Sequence, residues 1–246
     1  MRRVMFPIVA LFAFSGGASA VTVNELAFSQ TNWQDFRSTN KTVVEDFEGL
    51  GAALGGASGA EYTTGFLTGV GTFSRNGGDS GSGGTVTQAG WNTGQGVALR
   101  SGNVFGRVDT TSSLLGGEGN WFFDSNDLTN IKWEVNTGSM FDKLIFSLTD
   151  AADQGATFSI CLDTAPSCDT YQLSRQSPSS KRLIEIDFGA AVSGGTILFD
   201  NGPKNDGFGI DDIAVSVLPL PTSALLLLGG LGALGATRAR KKCTTA

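Results

Sequence analysis

The chain has 246 residues, with 17 basic and 23 acidic side chains, no histidine, three cysteines, 35 glycines and a formal net charge of −6. Six basic residues sit at its ends, so the body between them carries 11 basic against 23 acidic residues, net −12, which excludes nucleic acid and anionic membrane surfaces as natural partners. Without histidine there is no Ser-His-Asp or Cys-His catalysis and no His-ligated zinc.

Residues 1–20 read as a signal peptide. Arg2 and Arg3 form the positive start, Val4 to Phe14 the apolar stretch, and Ala18-Ser19-Ala20 the small-residue cleavage site. Cleavage before Val21 leaves an exported domain, residues 21–216, long enough for a single core. Its first element is a short helix over residues 29–39, capped by Ser29 or Thr31, with Trp33 and Phe36 on one face.

From Thr42 the hydrophobic period falls from helical to two. A strand over Thr42–Phe47 leads into the run DFEGL, followed by a glycine-rich tract from Gly49 to about Gly106 with short apolar islands. Beyond Val104, strand-like runs recur about every ten residues: Trp121–Phe123, Ile131–Val135, Lys143–Leu148, Thr157–Leu162, Thr170–Leu173, Arg182–Phe188, Thr196–Phe199 and Phe208–Val217. Leu144, Phe146 and Leu148 share a face, as do Ile184, Ile186 and Phe188 with Glu185 and Asp187 opposite. This pattern predicts an all-β protein, an antiparallel, jelly-roll-like β-sandwich with one short N-terminal helix.

Cys161 and Cys168 flank a proline-containing segment, CLDTAPSC, between two strand-like runs. In an exported chain this predicts a disulfide closing a hairpin; two separate thiols on neighbouring strands are the alternative. Residues 217–246 form a third region. Val217-Leu218-Pro219-Leu220-Pro221 precedes an Ala/Leu/Gly run from Ala224 to Ala236, and Arg238, Arg240, Lys241 and Lys242 follow. Counted from Val217, the apolar stretch is just long enough for one transmembrane helix, with the basic cluster cytoplasmic.

Acidic residues are the remaining source of chemistry. In Phe208–Val215, strict alternation puts Asp212 with Phe208, Ile210 and Ala214, and Asp211 with Ile213 and Val215. Both faces are apolar, so at least one carboxylate points into the interior and needs a partner. Calcium takes six to eight oxygens, which Glu48, Asp206, Asp211 and Asp212 with backbone carbonyls can supply. The alternative is a solvated turn followed by an Asp bonded to backbone amides. Glu118, Asp124 and Glu134 are carboxylates of the type glycoside hydrolysis uses, in no recognisable context. Trp91, Trp121 and Trp133 offer either a sugar-stacking platform or core side chains.

The C-terminal block resembles the PEP-CTERM class of bacterial sorting signals, in its VPLPA-CTERM variant. It has one extra Leu, and Thr222 stands where the variant ends in Ala. The resemblance implies recognition by an exosortase-type processing enzyme, loss of the tail, and display in the envelope or an exopolysaccharide matrix. The body resembles carbohydrate-binding jelly-roll modules through its early Phe47-Glu48 and its final Ile210-Asp211-Asp212-Ile213. In such modules the two ends are adjacent and hold a structural calcium. The leading expectation is a non-catalytic exported surface or matrix protein. A calcium-supported carbohydrate-binding module comes second and a glycoside hydrolase third.

Overall fold

The computed structural model describes residues 20–53, 60–77, 96–151, 156–162, 167–200 and 207–219. In chain order the elements are β1 (Thr22–Ala27), α1 (Gln30–Thr39), β2 (Thr42–Glu45), α2 (Glu48–Ala53), β3 (Ala60–Tyr62), β4 (Phe66–Thr68), β5 (Gly71–Arg75) and β6 (Val97–Ser101). There follow β7 (Asn103–Val104), β8 (Arg107–Val108), α3 (Thr111–Leu114), β9 (Trp121–Asp124), β10 (Asn130–Val135), β11 (Phe141–Thr149) and β12 (Thr157–Leu162). The last four are β13 (Asp169–Gln172), β14 (Lys181–Val192), β15 (Gly195–Asp200) and β16 (Gly209–Val217).

These strands form two antiparallel sheets. The larger runs β1-β14-β11-β16-β9-β6-β3, with β2 also paired to β16; the smaller runs β13-β12-β15-β10-β5-β4. From β9 onward the chain switches sheets at every connection except the β12–β13 hairpin. Neighbours in sequence therefore face each other across the core, and each sheet is built from distant segments.

The two-residue periodicity was a sound guide to which side chains meet between the sheets. Leu144, Phe146 and Leu148 from β11 and Ile184, Ile186 and Phe188 from β14 all enter the same core. They meet Phe73, Trp133, Phe158 and Phe199 from the smaller sheet. Trp133 stacks on Phe73 at 5.0 Å between ring centres, meets Phe146 edge-on at 5.9 Å, and donates its indole N–H to Val70 O at 3.2 Å. Such pairs add roughly 0.5–1.5 kcal/mol each beyond the area they bury.

The larger sheet has a second buried face, which periodicity did not reveal. Trp33 and Phe36 of α1, with Leu114 of α3, cover Ile145, Leu183 and Ala214. Ser29 caps α1 by accepting from Asn32 N at 3.2 Å. With helices on one side and a sheet on the other, β16 is buried at every position, as an alternating strand in a two-layer sandwich would not be.

Several expected boundaries move. The strand from Thr42 stops at Glu45, because Phe47 takes φ of 58° and the chain turns into α2. Val217, placed with the tail by its motif, is the last residue of β16; it pairs with Phe141 and donates to Lys41 O at 2.7 Å. Residues 1–19 and 220–246 lie outside the described residues, and with them the leader, Leu220, Pro221, the apolar run and the basic cluster. Among the described residues no helix is long and apolar enough to cross a membrane.

Cys161 and Cys168 form a disulfide at the connecting end of the β12–β13 hairpin, one step beyond the Ile160–Asp169 pair. Closing so short a loop is worth about 2 kcal/mol in the chain-entropy account. The Cys161→Ser/Cys168→Ser variant should lose about that much in urea unfolding while the rest of the sandwich stays folded. Equal stability of the two forms would show that the hairpin is held without the clip.

Candidate functional site

A β-bulge sets the geometry of the two aspartates in β16. Ile145 of β11 faces Ala214 and Ser147 faces Asp211, so β16 carries one extra residue across this step. Asp212, at φ of 47°, occupies it. The extra residue breaks the alternation. Ile210, Ile213 and Val215 all reach the inter-sheet core, while both carboxylates reach the same group of hydroxyls. Expecting the two Asp side chains on opposite faces was therefore incorrect; a bulge re-aims side chains in this way.

Asp211 Oδ2 accepts from Thr110 N at 2.7 Å and from Thr110 Oγ1 at 3.3 Å, and its Oδ1 accepts from Asp212 N at 2.8 Å. Asp212 Oδ2 lies 2.6 Å from Thr110 Oγ1, and its Oδ1 accepts from Thr111 Oγ1 at 3.1 Å. Ser147 completes the cluster at 2.6 Å from Thr110 Oγ1 and donates to Asp211 O at 2.9 Å. Both aspartates are fully buried.

Burial, followed by repulsion from Asp212, drives the Asp211 carboxyl well above the usual range. Burial raises Asp212 to about 7, against the lowering effect of Thr110 and Thr111, with Asp109 and Asp46 adding repulsion. The arrangement favours the protonated form of both carboxyls over that of an ordinary aspartate and ties the start of α3 to the last strand. Sequence reasoning missed Thr110, Thr111 and Ser147. The only local sign was Asp109-Thr110-Thr111-Ser112-Ser113, a run of helix-capping residue types.

Glu48 is occupied elsewhere. Its Oε1 accepts from Asn120 N at 2.8 Å and Trp121 N at 2.7 Å, which ties α2 to the start of β9. Asp206 lies outside the described residues. Among the described residues no three His, Cys, Asp or Glu side chains converge closely enough to hold a metal ion. The Asp211–Asp212 oxygens are met by hydroxyl and amide donors.

The three carboxylates considered for hydrolysis are dispersed. Asp124 is buried in β9, where its two oxygens meet Arg100 Nε at 2.9 Å and an Arg107 terminal nitrogen at 2.8 Å. Glu134 is exposed on the outer face of the smaller sheet, 3.1 Å from Lys132 Nζ. Glu118 is in the α3–β9 loop. Trp121 and Trp133 are core residues, 6% and 0% exposed, and Trp91 lies outside the described residues.

A second polar cluster, unsuspected from the sequence, closes one end of the sandwich. The same Arg107 nitrogen reaches Asp127 at 2.9 Å, and an Arg100 terminal nitrogen reaches Asn126 Oδ1 at 2.8 Å. Burial alone would lower the Arg107 pKa, but Asp124, Asp127 and Asp150 outweigh it and raise the value. Asn126 and Asp127 both take positive φ, 55° and 60°, to place their side chains on the two arginines.

In comparison with known proteins, no family model and no curated protein matches the chain. Among solved structures, it is similar to the carbohydrate-binding module TmCBM61 in complex with β-1,4-galactotriose, at 12% identity over 50% of this chain and 82% of that one, TM-score 0.33. It is also similar to the K2 cleaved adhesin domain of Lys-gingipain, at 11% identity over 72% of this chain and 99% of that one, TM-score 0.40.

Proposed function

We propose that this chain is a non-catalytic, exported β-sandwich of the cell envelope or extracellular matrix, processed by an exosortase-type enzyme and associated with exopolysaccharide. The Cys161–Cys168 disulfide carries this reading, because such a clip persists in oxidising surroundings outside the cytoplasm. The position of the last strand supports it as well. β16 ends at Val217, with Pro219 just beyond, so cleavage near Pro219–Pro221 removes the tail without touching a paired strand. Until then the tail holds the domain at the membrane with its basic end cytoplasmic.

Intact-mass analysis of protein from the envelope and matrix fractions of an exporting bacterium tests this reading. The expected species starts at Val21, ends between Val217 and Thr222, and has Cys161 and Cys168 oxidised. A full-length cytoplasmic chain with free thiols would refute it.

A calcium-supported carbohydrate-binding module is the second reading. It is favoured by the mutual repulsion of Asp211, Asp212, Asp109 and Asp46, which a divalent ion would cancel. Under it, millimolar calcium raises Tm and a chelator reverses the rise. An unchanged Tm removes calcium from the account.

A further inference from the structure

We infer that a groove at one end of the smaller sheet's outer face is the binding site for a neutral glycan chain. This deepens the exopolysaccharide reading above and rests on it. The groove has a volume of about 610 Å³, within the ordinary range for small-ligand sites. Its floor is a row of directly paired residues: Leu67 on β4, Thr72 on β5, Glu134 on β10 and Thr196 on β15. Four adjacent strands make that row ~14 Å long, enough for a short run of linked sugar rings.

The groove is built rigidly. Thr68 Oγ1 donates to Gly71 O at 2.8 Å and accepts from Val70 N at 3.1 Å, while Gly69 N donates to Glu45 Oε2 at 2.9 Å. On the far side of β5, Asn136 N donates to Val70 O at 3.1 Å, and Gly138 N to Asn136 Oδ1 at 2.8 Å. Gly71, at φ of 126°, lies so close to β10 that an added Cβ would sit 2.0 Å from Glu134 O. Turns already held in this way lose little freedom when a ligand arrives.

Its chemistry selects the ligand class. Glu134 is the one charged side chain among the described lining residues, and Lys132 balances it at 3.1 Å. A single compensated carboxylate cannot supply the six to eight oxygens of a calcium site. The body's net charge of −12 repels uronate or sulfated polysaccharides. What remains are the hydroxyls of Thr72, Thr137, Ser193 and Thr196 beside Leu67, which is 72% exposed. Hydroxyls and a carboxylate next to an aliphatic surface match the hydroxyl rim and C–H face of an uncharged sugar. The groove is partly open to solvent, so it can take a segment of a longer chain. Its described lining has no second carboxylate, so the site binds and does not hydrolyse.

The test is isothermal titration of the full-length protein, in mild detergent, with neutral gluco-, galacto- and manno-oligosaccharides and with oligouronates. A neutral series should bind and the uronates should not. Thr72→Tyr/Thr196→Tyr, which fills the floor with residues suited to strands, should weaken binding at least tenfold. Thr170→Tyr, exposed on the edge strand β13 with β12 between it and the groove, should leave it unchanged. Amide shifts of Gly69, Gly71 and Gly195 in the unaltered protein on adding the bound sugar give a second readout that needs no variant.

Absence of neutral-glycan binding, a preference for uronates, binding that survives groove filling, or shifts confined to other loops would each overturn the assignment. Failure of the groove alone leaves the envelope location standing. A cytoplasmic location sinks the surface reading whatever the groove binds.

Discussion

Asp124→Ala is expected to destabilise the protein by about 3–5 kcal/mol, the usual cost of removing one partner from a buried ion pair. Asp124 is 1% exposed and lies between two guanidiniums that are themselves 4% and 3% exposed. It also accepts from Asn126 N at 2.8 Å. Without it, Arg107 keeps Asp127 and Arg100 keeps Asn126, but two positive charges stay in the interior with one fewer carboxylate between them. The cluster joins β6, β9, the β7–β8 hairpin and the loop after β9, so its loss should be felt at one whole end of the sandwich. For a domain of this size Tm should fall by roughly 6 to 20 °C. A loss under about 1 kcal/mol in urea unfolding would show that water reaches the arginines and that the cluster is not a closed one.

The second large effect is a fall in stability as pH rises. The Asp212 pKa is raised from 3.8 to about 7 in the folded protein, and Asp211 is raised well above 3.8. A raised folded-state pKa means that the folded form binds more protons than the unfolded form between the two values. Stability from these groups is therefore complete below about pH 4 and is lost as pH climbs through 7. For a shift of about three pH units the loss is roughly 4 kcal/mol for one such group.

Two other carboxylates work in the opposite direction. Burial raises Glu25, but Ser174 and Arg182 outweigh it and leave its pKa lowered; Lys143 lowers Asp187. Their contributions are present above their unfolded values of 4.5 and 3.8 and disappear below them. Urea unfolding should thus show greatest stability near about pH 4.5 and a decline toward pH 7.5. Asp212→Asn should flatten that decline, because an amide cannot ionise and can still meet both hydroxyls, accepting from one through its oxygen and donating to the other through its NH2. A rise in stability across this window, or an unchanged slope in Asp212→Asn, would refute the protonated pair. Millimolar calcium provides a further check, since a bound cation would ionise the pair and reverse the slope.

The sandwich itself was readable from residue order. Period-two runs of Leu, Ile and Phe place side chains on alternate faces wherever the strand is regular, so Leu144, Phe146 and Leu148 could be assigned to one strand face and Ile184, Ile186 and Phe188 to another, and the fold brings the two faces into one core. The α1 helix was equally local, because Ser29 caps it and Trp33 and Phe36 lie one helical turn apart. The disulfide followed from two cysteines spaced to close a hairpin.

Tertiary structure decided what depends on distant partners. Which residues oppose Asp211 is a matter of β11 register, and a single inserted residue at Asp212 turned two expected faces into one. Arg100 and Arg107 look like surface residues in sequence, and only the return of β9 beside β6 supplies the carboxylate that lets both be buried. The groove arises in the same way, from β4, β5, β10 and β15, whose adjacency no local pattern encodes. Local periodicity determines which way a side chain points. Long-range strand pairing determines what it meets, and the chemistry of this protein lies in those meetings.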